Sequence, residues 1–584
     1  MLLRSLLTRI AAALLLAWTL ACALTALSII SNSRDGRDAL RSARRGVGLT
    51  ELLDGTLVDK VEGAADAFDT AHDRASSALW LPVRRAPVIG RQLSSTRALT
   101  GVVRQLAEEI AEAGKRAQAL IDDAPSGPEG RLAAVEGLVT IVEGVESQIA
   151  AADLGPDDAL VSPLADARDE LAAELDELGR DARHASAALS ALARLLDGPS
   201  STLVFAANNA EMRAGSGMLL AGGILESEGG RGDVSDFESV EDVVAPAGSV
   251  ALPEELESLW GWAEPDLEIR NLLLSPRFPV AAAVAADIWQ KSGRPPVEGV
   301  IAIDPVALGA IVRVTGPVTV GSETFDADTL VDELLHEQYV RFARSDRPER
   351  QERSADIAAA VLRAAVDGDW DLVDMAEALR KAVAGRHLFM WSNDPDAQAG
   401  WEGVGVAGDL EPDSILLALN NRGAGKTDQF IRVDAALESE RTEAGVDVRI
   451  TVCVENRTPE DEPPTVTNDR PDIGLTAGQY RGILVASVPG AARSVRVAGS
   501  PPLHVAGTDG PSRVIGLQLE LARGASREVV VELTLPGSWA SVLVEPSARV
   551  PAIRWSDASG TWRDRSDDRR PLTDGEVDVH ACGG

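Results

Sequence analysis

The residues of this 584-residue chain best suited to chemistry are arginines. The stretch "RFARSDRPERQER" spaces Arg341, Arg344, Arg347, Arg350 and Arg353 three residues apart. The first pair and the last pair can each share a helix face. Planar guanidinium groups hold phosphate oxygens by paired hydrogen bonds, so such a cluster can grip a pyrophosphate. The same text also fits a solvated helix face with Glu349 and Glu352 as ion-pair partners. A second place is "LVFAANNAEMRAGSGMLLAGGIL", where Asn208, Asn209, Glu211 and Arg213 stand between two apolar runs. Its Gly-x-Gly precedes a strand rather than a helix, so it is no dinucleotide fingerprint. It reads as a strand-to-strand connection whose asparagines and glycines tolerate left-handed backbone, with a ligand role as the second reading.

Common catalytic motifs come close and fail. "NNRGAGKTDQF" contains Gly425-Lys426-Thr427, but a phosphate-binding loop needs glycine where Asn420 stands, and a strand follows instead of a helix. "HEQYV" would need its second zinc histidine at Val340. The six histidines are scattered and no GxSxG elbow occurs. The three cysteines, Cys22, Cys453 and Cys582, have no zinc-ligand spacing, so no metal site is expected. Cys453 and Cys582 can pair if the body faces an oxidising compartment, although sequence does not give their separation. Asn456 opens a glycosylation sequon that reads as a turn.

The formal net charge of -35 repels phosphate polymers, which excludes a nucleic-acid partner and requires any anion site to be a local arginine pocket. Such a pocket must be held by a folded scaffold, and the composition is that of one, with 45% apolar and 25% charged residues. Residues 1–9 read as a cytoplasmic tail. Ile10 to Ile30 carries no charge or proline and would rise about 31 Å as a helix, enough for an uncleaved transmembrane anchor. Arg34, Arg37, Arg41, Arg44 and Arg45 outnumber Arg4 and Arg9, so the charge rule places the body in the cytoplasm. The signal-like amino terminus and the β-rich end argue for the opposite, extracytoplasmic orientation, which is the expectation adopted.

Behind the anchor, helical spacing over 35–198 predicts a bundle or stalk. Alternating strands and helices over 200–385 predict an α/β domain, 386–412 reads as a connecting segment, and short strands over 413–556 predict an immunoglobulin-like β-sandwich. Residues 557–584 read as a polar tail. The fold class expected is therefore multidomain α+β.

"LVFAANNAEMRAGSGMLLAGGIL", "VEGVIAIDPVALGAIVRVTGPVTV" and "HLFMWSNDPDAQ" together resemble the bacterial domain of unknown function 4012. That family implies a membrane anchor, a helical region and a β-rich end, but no activity. "GVIAIDPVALGAIVRVTGPVTV" and the arginine run also resemble the LytR-CpsA-Psr cell-wall glycopolymer transferases. The second resemblance implies that Arg344, Arg350 and Arg353 hold the pyrophosphate of a polyprenyl lipid, with Arg213 beside them. Asp304 or Glu211 would lie near magnesium, a cofactor expected only under this alternative. The transferases' Arg-x-Asp-Thr segment is absent, and "LSPRFPV" around Arg277 lacks the aspartate that should follow. The expectation is a single-pass cell-envelope protein acting as a binding or scaffold module. Its partner would be a wall polymer, a lipid pyrophosphate or an envelope protein. The alternative is a phosphotransferase on polyprenyl-pyrophosphate-linked glycopolymer. The candidate ligand residues are Arg213, Arg277, Arg344, Arg350, Arg353, Asn209, Glu211 and Asp304.

Overall fold

The computed structural model describes residues 56–582 except 83, 85, 424, 576 and 578–581, together with residues 25, 26, 28 and 33. The expected tail 1–9 and nearly all of the anchor Ile10–Ile30 lie outside the described residues. Among the described residues no helix is long and apolar enough to cross a membrane.

The first compact unit is helical. Thr56–Ser76 runs antiparallel to Pro87–Asp122, and Val58, Val61 and Ala65 pack against Ala107 and Ala111. A second seam joins Leu106 to Ile149 of Pro128–Ala150 and Ala182 of Ser162–Asp197. Alanine at these contacts lets the backbones approach closely, which is how a chain poor in aromatics still forms a bundle.

The second unit holds everything from Arg194 onward, with Ser126–Leu132. Its central mixed sheet has the order β3-β2-β1-β5-β8, built from β1 (Ser200–Arg213), β2 (Ser216–Glu228), β3 (Arg231–Val234), β5 (Gly299–Ile303) and β8 (Leu388–Ser392). The short β4 (Glu238–Ser239) pairs with β2, and β6 (Val318–Val320) forms a separate hairpin with β7 (Glu323–Phe325). β1 runs antiparallel to β2 and parallel to β5. Helices Pro305–Thr315, Arg347–Asp367 and Leu372–Ala384 cover one face through Ile311, Ile357 and Met375. Glu254–Trp260 and Phe278–Lys291 cover the other through Trp260, Phe278 and Ile288.

Two further six-stranded sheets pack face to face. One has the order β13-β16-β11-β10-β18-β19: β13 (Arg493–Val497), β16 (Ser526–Leu535), β11 (Gly445–Asn456), β10 (Ile431–Thr442), β18 (Arg554–Asp557) and β19 (Gly560–Arg563). The other has the order β14-β15-β12-β9-β17-β20: β14 (Val505–Asp509), β15 (Ser512–Leu521), β12 (Tyr480–Pro489), β9 (Ser414–Asn421), β17 (Ser541–Glu545) and β20 (Asp568–Pro571). Their inner faces share a core that includes Leu417, Ile450, Leu519 and Trp555. The pairs β10/β18 and β9/β17 are parallel, which an all-antiparallel immunoglobulin sandwich does not have.

Three sequence expectations are corrected. The connecting segment 386–412 contains β8, an edge strand of the central sheet. The polar tail from 557 supplies β19 and β20, which extend both sandwich sheets. Charged side chains on edge strands face solvent, so these strands read as loop text. The α/β and sandwich parts are one unit, because Ile483, Val485, Val505 and Val514 of the second sheet share a core with Leu256, Trp260 and Ile288. A disulfide joins Cys453 of β11 to Cys582, with the Cα atoms 5.5 Å apart.

This joint buries acids. Glu545 lies 3.9 Å from Arg386, and burial pushes its carboxyl up to about 7 despite that cation, with Asp567, Glu411 and Asp413 adding to the rise. A folded value above the unfolded one, near 4.3, favours the protonated form, so stability is lost as pH rises from about 4.3 to about 7. Thermal melts should show the protein less stable at pH 8 than at pH 5, with Glu545 contributing on the order of 2 kcal/mol, and Glu545→Gln should remove that part of the slope.

Candidate functional site

The end of β1 leaves the central sheet. Pairing with β2 slips once between Ala206 and Ala207, continues to Asn208↔Met218 and resumes only at Met212↔Gly217, so Asn209, Ala210 and Glu211 bulge out. A Cβ on Gly217 would come 2.3 Å from the Asn208 carbonyl carbon, so only glycine permits this approach. The expected loop is corrected: Asn208 to Arg213 belong to the strand, and the connection is only Ala214 and Gly215. Bulges re-aim side chains beside functional sites, and this one carries the strand towards β9. Met212 donates its N–H to Asp428 Oδ2 (3.1 Å), Ala214 donates to Asn420 Oδ1 (2.7 Å), and Arg213 donates to the Asn421 carbonyl (2.9 Å).

Above this junction lies a cleft of about 1000 Å³. Its lining carries Arg213, Arg270, Arg344, Arg347, Arg350, Arg422, Arg470 and Lys426, against the carboxylates Glu211, Asp242, Glu268 and Glu352. One part of the wall is apolar, with Ala206, Leu220, Phe237, Leu308, Leu334 and Ala358. A cationic pocket inside so acidic a chain concentrates anions locally.

Some of these cations are neutralised within the protein. Glu241 bridges Arg270 and Arg347, and Lys426 pairs with Glu211, although burial still pushes the Lys426 ammonium down. Four guanidinium groups differ: among the described residues, Arg213, Arg344, Arg350 and Arg422 have no carboxylate within ion-pair distance. Arg213 is 7% exposed, its Nε meets no acceptor, and its remaining bonds go to the Met212 and Asn421 carbonyls and the Met218 sulfur. Burial pushes it below the usual guanidinium range. Arg350 is lowered by burial too, and lies over the Tyr339 ring at 5.0 Å. Arg344 donates to the Pro464 carbonyl (3.2 Å) and to Asn468, and Arg422 stacks on Trp262 at 4.3 Å. Arg344 and Arg422 are exposed, whereas Arg213 is buried and Arg350 half-buried, and buried charge without a paired counter-charge is costly. A dianionic ligand would neutralise it.

Two candidates lie elsewhere. Arg277 is neutralised by Asp409 (2.8 Å), Glu255 (3.3 Å) and Asp509 (3.6 Å). Arg353 pairs with Glu333 (2.9 Å) and Glu323, and Arg341 with Glu323 (3.0 Å) and Glu333 (3.1 Å). Each already has its anions, so both candidates are corrected to structural ion pairs.

Asp304 and Asn209 are buried beside the junction rather than on the cleft wall. Asp304 caps the 305–315 helix, with Oδ1 accepting from the Val306 and Ala307 amides (2.9 and 3.1 Å). Its Oδ2 accepts from Asn209 (2.7 Å) and Ser216 (3.2 Å), and lies 2.6 Å from His387 Nδ1. Both oxygens are saturated, so the carboxylate ties four segments together and has no lone pair left for a cation. Among the described residues no group of three or more His, Cys, Asp or Glu is placed to hold a metal ion.

Sequence reasoning passed over Arg270, Arg422 and Arg470, left Arg347 of the arginine run out of the candidate set, and set Lys426 aside with the rejected phosphate loop. One signal was available. Asn-Asn opens the bulge of β1 (Asn208-Asn209) and ends β9 (Asn420-Asn421), and all four are buried. Side-chain amides replace ladder partners where the two strands leave their sheets, so the rejected "NNRGAGK" faces "NNAEMR" across the junction.

Residues 197–339 match the family model described as a protein of unknown function, DUF4012. The chain carries a DUF4012 domain. That domain supplies the Arg213 and Arg270 side of the cleft, whereas Arg344, Arg350, Arg422 and Lys426 lie beyond the matched residues. No curated protein and no solved structure matches the chain.

Proposed function

We propose that the cleft binds a lipid-linked pyrophosphate, and that the chain is a single-pass, membrane-anchored envelope protein with its body outside the cytosol. The observation that carries this reading is the set of four guanidinium groups without carboxylate partners, beside an apolar wall. Two phosphates offer paired oxygens to planar forks, and a prenyl tail matches Phe237, Leu220 and Leu308. The apolar segment Ile10–Ile30 would hold the body where such lipids reside, and the Cys453–Cys582 bond supports an oxidising compartment. The likeness to the LytR-CpsA-Psr transferases favours the same ligand chemistry. Binding is proposed rather than transfer, because of the two acids that likeness would place near magnesium, Asp304 is committed to the fold and Glu211 is paired with Lys426.

The test is binding of farnesyl diphosphate to the full chain in nanodiscs. Each charge-assisted bond contributes about 1.5–3 kcal/mol, so replacing both Arg344 and Arg350 by alanine should weaken affinity roughly a hundredfold or more. Unchanged affinity in the double variant, or no binding by the natural protein, removes the proposal.

A further inference from the structure

Two turns share one end of the helical bundle. The first joins Thr56–Ser76 to Pro87–Asp122, and the second, residues 151–161, joins Pro128–Ala150 to Ser162–Asp197. Gln92 ties them together, donating to the Ala159 carbonyl (2.8 Å) and accepting from the Val161 amide (3.0 Å). The first turn is fixed from within. Trp80 packs on Ala75 and Leu93, and its indole N–H donates to the Arg74 carbonyl (3.0 Å). A Cβ on Gly90 would come 2.2 Å from the Arg84 carbonyl oxygen, so glycine lets the turn close onto the helix. This frame leaves Leu81, Val88 and Ile89 exposed by 58%, 68% and 50%. Val161, 52% exposed, is held by Gln92 one helical turn from Val88. These are four of the eleven exposed large apolar side chains among the described residues. Single apolar residues are ordinary on a surface, but four at one end of a bundle make a patch.

The local charge is reversed as well. Arg74 to Ala107 contains six arginines and no acid, in a chain with 91 acidic and 56 basic residues. Arg74 and Arg84 are exposed and form no ion pair among the described residues, whereas Arg91 is paired with Asp158 (2.9 Å). Asp73, Asp153 and Asp157 also stand at this end, but none lies on the segment 77–91 that carries Leu81, Val88 and Ile89.

We propose that this tip rests on an anionic bilayer surface, its apolar side chains in the headgroup layer and its arginines against lipid phosphates. The inference rests on the single-pass reading and adds a second membrane contact to it. Aliphatic side chains flanked by arginines and a tryptophan are the composition of interfacial segments. The chain between Ile30 and Thr56 spans at most about 85 Å, and Thr56–Ser76 rises about 31 Å, so anchor and tip can meet one bilayer. A bilayer also accommodates projecting side chains without the matching groove that a protein partner would have to supply. The acidic remainder of the chain is repelled by such a surface, which leaves the tip as the place of contact.

The experiment places a nitroxide on the full chain as Val88→Cys with Cys22→Ser, in nanodiscs of phosphatidylcholine alone or mixed with phosphatidylglycerol. Collisions with oxygen report lipid, and collisions with a water-soluble nickel chelate report solvent. In the mixed discs the label should gain oxygen contact and lose nickel contact. A label at exposed Asp181→Cys, about 28 Å along the bundle from Ser162, should stay in water. Arg74→Gln with Arg84→Gln should shift the docking equilibrium about thirtyfold towards release, at about 1 kcal/mol per basic residue near an anionic surface. Nickel contact at position 88 equal to that at 181 overturns the tip contact while leaving the anchor standing. Equal docking in both kinds of disc, or docking that survives the double variant, overturns the anionic assignment. Shielding from oxygen and nickel alike means that protein, a second copy included, covers the tip, and overturns the proposal too. A chain that fails to enter nanodiscs removes the single-pass reading itself.

Discussion

Arg213→Met is expected to weaken farnesyl diphosphate binding about a hundredfold while leaving the stability of the ligand-free protein within about 1 kcal/mol of its natural value. Two opposing terms set the second number. The substitution removes a buried guanidinium, which is favourable, because Glu211 and Asp428 support its charge only from beyond ion-pair distance and burial lowers it on balance. It also leaves the Met212 and Asn421 carbonyls without a donor, at a comparable cost. The ligand-bound state loses a charge placed against pyrophosphate, and nothing offsets that. Arg353→Ala should behave in the opposite way. It removes one of the two arginines paired with Glu333, which is 3% exposed and keeps Arg341, and should cost about 2 kcal/mol of stability with affinity unchanged. Denaturant melts and binding isotherms on the two variants check both halves. Matching losses in the two would dissolve the distinction between ligand cations and structural cations.

That distinction shows what the sequence could and could not convey. Arg213, Arg277, Arg344, Arg350 and Arg353 are equivalent as text, and three of the five reach the cleft. Whether an arginine is neutralised depends on acids far along the chain. Asp409 and Asp509 settle Arg277 from more than a hundred residues away, and no local pattern records it. The helical bundle was legible because alanine and leucine recur at helical spacing, and the sandwich because β11 alternates apolar with polar residues and β12 carries an apolar run. β19 and β20 were not legible, since "GTWR" and "DRRP" sit at sheet edges with their charges in water. The fusion of the α/β and sandwich parts was hidden too. Ile483 and Val485 face helices rather than solvent, and alternation reads the same for either neighbour.

Asp304→Ala is expected to lower stability by about 3–5 kcal/mol, the largest loss from any single substitution considered. The carboxylate caps the 305–315 helix and receives Asn209 from β1, Ser216 from β2 and His387 from the approach to β8. Its removal orphans buried donors on four segments at once. Ser216 sits at φ 108°, a conformation costly for any residue with a Cβ, and it loses an anchor in the variant. Asp304→Asn keeps the cap but presents one amide where the network requires an acceptor, so its loss should be intermediate. Urea midpoints of the three proteins give the ranking. Natural stability in Asp304→Ala would mean that the strand ends are held by something else.

The central claim is that the cleft recognises a charged head and an apolar tail together. Calorimetric titration of the full chain in nanodiscs with farnesyl diphosphate, inorganic pyrophosphate and farnesol tests it most directly. The account predicts saturable binding of the diphosphate, at least tenfold tighter than either fragment and weakened by added salt. Pyrophosphate bound as tightly as farnesyl diphosphate, or no heat above the empty-nanodisc control, would contradict it.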